Sequence, residues 1–327
     1  MSTVAAISIF AGLVLLLLGA EVMIRGAVAL ARRLDISPHV IGLTVIAFGT
    51  SAPELFVSLK AALQGSPGIA IGNVIGSNIA NILLMIGTVG VVAPFVCRGA
   101  PLRRDGLMLF VATMLFVAAA MHGVIERWHG VVMVILLVSY LYYCYRSERG
   151  ENSDQTVHAK EVEEFDHLPK TVSKASLFTL GGLAAVLFGA DLLVDGAIEV
   201  ARFAGVSETV IGITVVAVGT SLPELATTIV AALRRHSDVA LGNIIGSNIF
   251  NTLGILGVVA IVSPLPVPPE VLSLDLWVMM AVTVIFIVMA IRLPAFSRPW
   301  AVMFFVAYVT FITNQFYPLT GLALAAG

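Results

Sequence analysis

Apolar residues run along this chain in long unbroken stretches, and polar residues gather in the short gaps between them. The stretches fall at roughly 4–31, 38–63, 69–95, 104–122, 127–145, 175–203, 208–233, 239–263, 271–292 and 299–316. A helix needs about 20 apolar residues to cross the hydrocarbon core of a bilayer. The pattern therefore predicts ten membrane-spanning helices. Only the polar stretch from Arg146 to Lys174 resembles a soluble loop, and it is too short to be a domain. The first stretch has no positive residue ahead of it and runs on past Ala20, so it is read as a membrane helix and not a signal peptide.

Residues 41–87 and 211–257 align at an offset of 170 without a gap, and 25 of 47 positions are identical. Upstream the likeness continues, pairing Glu21 with Asp191, Gly26 with Gly196, Ala27 with Ala197 and Arg32 with Arg202. Each copy holds five predicted spans. An odd number turns the second copy over in the membrane, which is the inverted-repeat design of secondary transporters, with the binding site near the midplane. The expected fold is an all-α integral membrane protein of ten transmembrane helices in two inverted five-helix repeats. Repeat one covers 1–146, a cytoplasmic linker loop covers 147–173, and repeat two covers 174–327.

Composition sharpens this picture. Apolar types make up 59% of the 327 residues and charged types 12%, against about 25% charged in a soluble domain. Soluble and disordered classes are both excluded, and a net charge of −2 gives no reason to expect nucleic acid. On the ten-span layout, 14 of the 18 basic residues fall on one side, and only Lys60, Arg127 and Arg202 on the other. The positive-inside rule then puts both termini outside and the central loop in the cytoplasm. Cys97 and Cys144 provide neither a disulfide framework nor a Cys-x-x-Cys pair.

The repeat carries the candidate chemistry. Gly49-Thr50-Ser51-Ala52-Pro53-Glu54 and Gly219-Thr220-Ser221-Leu222-Pro223-Glu224 lie near the middle of spans two and seven. A proline within a helix lacks an N–H and frees the carbonyl one turn earlier, so helices two and seven are expected to break at the midplane. Glu54 and Glu224 have no base at hand. Arg25 has Glu21 one turn away, and Lys60 lies on another face. A bare carboxylate at that depth is costly, so a proton or a mobile cation must neutralise each. In Gly72 to Asn81 and Gly242 to Asn251, spacing four puts Asn73, Ser77 and Asn81 on one helix face beside the small residues Gly72, Gly76 and Ala80. Small residues four apart let helices approach closely, bringing Ser77 and Asn81, and likewise Ser247 and Asn251, against the broken helices. Asn73 and Asn243 fit either cation ligation or amide bonding between helices. The donors are all hard oxygen, which suits calcium. The six histidines lie in loops or at span ends, so zinc and copper are not expected.

These paired blocks resemble the α-repeats of the calcium/cation antiporters, the sodium/calcium exchanger superfamily, in its prokaryotic form. The resemblance implies Glu54 and Glu224 as the main calcium ligands, joined by Thr50, Ser51, Ser77 and Asn81 and by Thr220, Ser221, Ser247 and Asn251. It also implies backbone oxygens near Ala47 and Ala217. Related exchangers often carry an aspartate where this chain has Asn251, which makes potassium co-transport less expected and bears on stoichiometry. The long calcium-sensing loop of animal exchangers is absent.

Asp191, Asp195 and Glu199, four apart on span six, fit either an outer access path for cations or packing near the span end. Tyr140, Tyr142, Tyr143, Tyr145 and Trp300 are expected to form an aromatic belt at the inner interface. The expected activity is secondary antiport of Ca2+ against Na+ or H+ in a prokaryotic cell (inner) membrane. Lipid and inorganic cations would be the partners, with no cofactor, no obligate protein partner and no enzymatic centre. A calcium channel or leak pathway is the alternative from another class, and it would require a continuous pore.

Overall fold

The computed structural model describes residues 3–34, 36–92, 95–96, 100–150, 168–203, 217–269, 271–293 and 295–316. Helices dominate. In chain order they are α1 (Thr3–Leu34), α2 (Pro38–Thr50), α3 (Ala52–Leu63), α4 (Pro67–Val92), α5 (Ala100–Met121), α6 (Arg127–Gly150) and α7 (Val172–Phe203). After these come α8 (Ala217–Thr220), α9 (Leu222–Leu233), α10 (Ser237–Val262), α11 (Val271–Arg292) and α12 (Arg298–Phe316). Seven of them are long and apolar enough to cross a membrane: α1, α4, α5, α6, α7, α10 and α11. The pair α2 and α3 passes the same test only together, bent by 44°.

The bend has a local cause. Ser51 sits at φ −80°, ψ 6°, off the helical ψ, and Pro53 occupies the first turn of α3. Ser221 repeats this at φ −89°, ψ 2°, ahead of Pro223 in α9. A proline there cannot donate to the preceding turn, so the helix restarts one residue after the serine. Three wider π turns, Gly42–Ile46, Phe250–Ile255 and Val271–Asp275, lie within α2, α10 and α11.

Helices α1 and α7 pack antiparallel along their length. A Cβ added at Gly12 would lie 2.6 Å from the Leu193 nitrogen, and one at Gly19 would lie 2.9 Å from the Ala185 Cβ. Farther along, Gly26 meets Thr179. Small residues at these points let the two backbones nearly touch. Gly242 and Gly246 of α10 press on α2 in the same way, and a Cβ added at Gly246 would lie 2.8 Å from the Ala47 Cβ. On α4, Gly72 and Gly76 meet nothing within 4 Å among the described residues, so their expected close approach is not seen there. The segment that the repeat would set against them, 204–216, lies outside those residues.

Two short ladders, invisible to hydropathy, tie the connections. β1 (Phe95–Val96) pairs antiparallel with β4 (Ala295–Phe296), and β2 (Val124–Ile125) with β3 (Leu265–Pro266). One contiguous core runs from Leu16 to Phe304 and draws on both copies. Large apolar side chains such as Phe10, Phe56, Ile135 and Leu177 stand outward, as a lipid-facing surface requires.

Tyr140 departs from the expected belt. It is buried, and its hydroxyl donates to Asp105 Oδ1 at 2.7 Å. Asp105 also holds Arg104 and His39, while His39 Nδ1 lies 3.1 Å from the Asp238 carbonyl. The burial of Asp105 explains the exception: its charge needs partners on every side, and a phenol on α6 is one of them. Tyr142, Tyr143, Tyr145 and Trp300 remain exposed.

Candidate functional site

Glu54 and Glu224 each follow a proline into the first turn of a helix. Helix N-termini favour negative charge, so the local fold itself moderates the cost of these carboxylates. Each is only 1% exposed. Helices α3 and α9 and the middle of α10 each pack on α4 around them.

The two copies meet directly. Ser51 Oγ donates to Glu224 Oε1 at 3.0 Å. Thr50 donates its hydroxyl to the Ile46 carbonyl at 3.1 Å and leans on the Ala47 carbonyl at 3.4 Å. Spending that proton on the backbone leaves the oxygen's lone pairs for another partner. The Ala47 carbonyl also accepts from the Ser51 N–H at 3.0 Å. Thr220 is half-buried in α8, the helix that Ala217 begins.

Several buried polar atoms in this region have no hydrogen-bond partner among the described residues: Glu54 Oε2, Glu224 Oε2, Ser221 Oγ, Ser247 Oγ, and both amide atoms of Asn81 and of Asn251. Ser77 is buried beside them on α4. Buried polar atoms without partners are rare in folded proteins and call for an explanation. A cation held by oxygen atoms provides one. Among the described residues no three His, Cys, Asp or Glu side chains converge as a metal cluster, so the donors here are two carboxylates with amides and hydroxyls.

Asn73 and Asn243 use their amide nitrogens on the protein itself, while Asn243 Oδ1 is buried with no hydrogen-bond partner among the described residues. Asn73 Nδ2 donates to the Glu54 carbonyl at 3.2 Å and to Ser58 Oγ at 2.9 Å. Asn243 Nδ2 donates to Thr228 Oγ1 at 2.8 Å and reaches the Glu224 carbonyl at 3.4 Å. Both amides brace the backbone that carries a glutamate. Asp191, Asp195 and Glu199 stand on the exposed face of α7 and do not join the buried cluster.

Sequence reading did not identify the bracing hydroxyls Ser58, Thr227 and Thr228, although their spacing on the face of Glu54 and Glu224 was a usable signal. It also passed over Asn78, whose amide bonds Thr252 Oγ1 at 2.9 Å.

A profile of the family described as "Sodium/calcium exchanger protein" matches residues 4–146 and 174–317. The putative antiporter CaxA of Alkalimonas amylolytica is 37% identical over 96% of this chain and 98% of its own length. The sodium/calcium exchanger MaX1 of Methanosarcina acetivorans is 33% identical over 97% of this chain and all of its own. Among solved structures, the sodium-calcium exchanger NCX_Mj, soaked with Na+ and Ca2+, superposes with a TM-score of 0.82 at 31% identity, covering 96% of this chain and 99% of that one.

Proposed function

The chain belongs to the sodium/calcium exchanger family, and we propose that it exchanges Ca2+ for Na+ across the membrane as a secondary antiporter working by alternating access. The observation that carries this reading is the meeting of Ser51 with Glu224, which draws the two buried carboxylates onto one set of oxygen donors. Glu54, Glu224, Asn81, Asn251, Thr50, Thr220, Ser51, Ser221, Ser77 and Ser247, with backbone oxygens near Ala47 and Ala217, are the ligands in this reading. Asn73 and Asn243 support the glutamates.

The mechanism follows from charge. Empty, the cluster holds two carboxylates in a low-dielectric surrounding, which is costly to enclose. One Ca2+ neutralises both, and so do two monovalent cations. Only a neutralised cluster closes and reopens on the other side, so flux is coupled to a counter-ion. The gating elements are α1 and α7, which pack along each other beside the broken helices. The ten spans form two inverted repeats, with both termini outside and residues 147–173 in the cytoplasm of a prokaryotic cell. The antiparallel run of α1 against α7 supports the inversion, because these two helices are equivalents in the repeat.

Reconstitution tests the reading. Purified protein in liposomes loaded with Na+ should take up labelled Ca2+ with saturation, and dissipating the Na+ gradient should stop it. Uptake driven by a pH gradient alone would assign protons as the coupling ion. Unsaturable Ca2+ flux without any counter-ion would reassign the protein as a leak pathway.

A further inference from the structure

We propose that Asn78 and Thr252 are positioning residues, which set the angle of the Asn251 amide through a hydrogen bond between the two copies. The proposal rests on the antiport reading above. Asn78 Nδ2 donates to Thr252 Oγ1 at 2.9 Å and lies 3.7 Å from Met279 Sδ. Both residues are buried, at 2% and 0% exposed. On α4, Asn78 stands between the candidate ligands Ser77 and Asn81. On α10, Thr252 directly follows Asn251. One bond therefore joins the helix that carries one copy's ligands to the turn that carries the other's.

The copies differ at this point. Where the second has Thr252, the first has Ile82, which offers no hydroxyl. Asn248, the counterpart of Asn78, turns its amide back to the Ile244 carbonyl of its own helix at 2.7 Å. Residues 250–255 wind as a π turn, whereas Pro67–Val92 is α-helical throughout. A π turn holds one residue more than an α turn and so rotates the succeeding residues by about 100°. Asn81 and Asn251 are thus equivalent in sequence and unequal in backbone. Such turns are uncommon and concentrate at functional sites. A tertiary bond to Thr252 is what holds this one, and with it the two unpartnered amide atoms of Asn251.

Bonds of this kind between membrane helices add little to stability on average, so the fold should survive their loss while the ligand angle does not. In proteoliposomes, Thr252→Val should raise the half-saturating Ca2+ concentration about ten-fold, with maximal rate and melting temperature near wild type. Thr252→Ser keeps the hydroxyl and should restore wild-type Ca2+ dependence. Asn78→Ser, too short to reach Thr252, should match Thr252→Val and gives the answer should the valine variant not fold. The double variant should be no worse than either single one, because both remove the same bond. Wild-type half-saturation in both single variants would overturn the proposal. So would equal losses of maximal rate in Thr252→Val and Thr252→Ser, which would mark plain helix packing. A wild type that exchanges no Ca2+ would instead sink the antiport reading, and the variants would then be scored by half-saturation for the cation it does exchange.

Discussion

Ser51 and Glu224 stand 173 positions apart in the chain and 3.0 Å apart in the fold. A serine that closes the first copy's broken helix supports the carboxylate that opens the second copy's helix. The first half of the repeat thus contributes to the second half's charged group, and the cluster belongs to neither copy alone.

Neutralising either carboxylate should disable exchange. Glu54→Gln and Glu224→Gln keep the shape and halve the charge, and charge-assisted ligation is strongest where the dielectric is low. Ca2+ uptake at limiting calcium should fall roughly 100-fold, with membrane insertion and yield intact. Normal uptake in either variant would remove that glutamate from the site.

Asn251 sets the charge count. With two carboxylates, two monovalent cations balance one Ca2+. Asn251→Asp adds a third acid close by, and like charges at short range make it costly for all three to be ionised together without a cation between them. Exchange in the variant should become pH-dependent near neutrality and admit a third monovalent ion. Charge movement per cycle on a supported membrane reads this directly. A wild type that already moves one net charge with three Na+ would refute the charge-counting argument.

Sidedness is open to labelling. In a variant lacking Cys97 and Cys144, Lys160→Cys should react with membrane-impermeant maleimide only after the cells are opened. Reaction in intact cells would reverse the orientation drawn from the 14-to-3 split of basic residues.

Asp105 is a structural hub. Asp105→Asn leaves Arg104, His39 and Tyr140 without their shared anion. Breaking a buried ion pair typically costs about 3–5 kcal/mol, so the melting temperature in detergent should drop by many degrees. Tyr140→Phe loses one hydrogen bond and should cost about 1 kcal/mol. Equal stability of Asp105→Asn and wild type would refute the hub.

The α1–α7 seam tolerates no added bulk. A Cβ at Gly182 would lie 2.7 Å from the Gly19 carbonyl oxygen and from the Met23 Cα, while one at Gly181 meets nothing within 4 Å among the described residues. Gly182→Val should therefore destabilise by about 1–3 kcal/mol, and Gly181→Val should melt near wild type.

Features carried by periodicity and by self-similarity were legible in the sequence. Among the described residues the apolar runs coincide with helices, Pro53 with the 44° bend between α2 and α3, and the Glu21–Arg25 pairing with an ion pair of 2.6 Å. Both glutamates stood out because no base lies near them in the chain. The features that stayed hidden depend on residues distant in sequence. The π turn at Asn251 has no local signature, because Phe250–Ile255 would read equally well as α-helix. Tyr140 looks like its exposed neighbours until Asp105 is brought against it from another helix. Asn78 has a counterpart in both copies, but only Thr252 on the far side gives one of them a cross-bond.

The two ladders have a bearing on how the protein folds. β3 is β1 displaced by 170 positions and β4 is β2 displaced by 171, yet β1 pairs with β4 and β2 with β3. Neither ladder closes within a single copy, and the hydrophobic core is likewise shared. Duplication therefore did not leave two folding units in series. The halves are interlocked, and neither can bury its apolar surface or pair its strands without the other. Unfolding should accordingly be one cooperative transition despite the internal symmetry, and a half expressed alone should become native only when the other half is supplied.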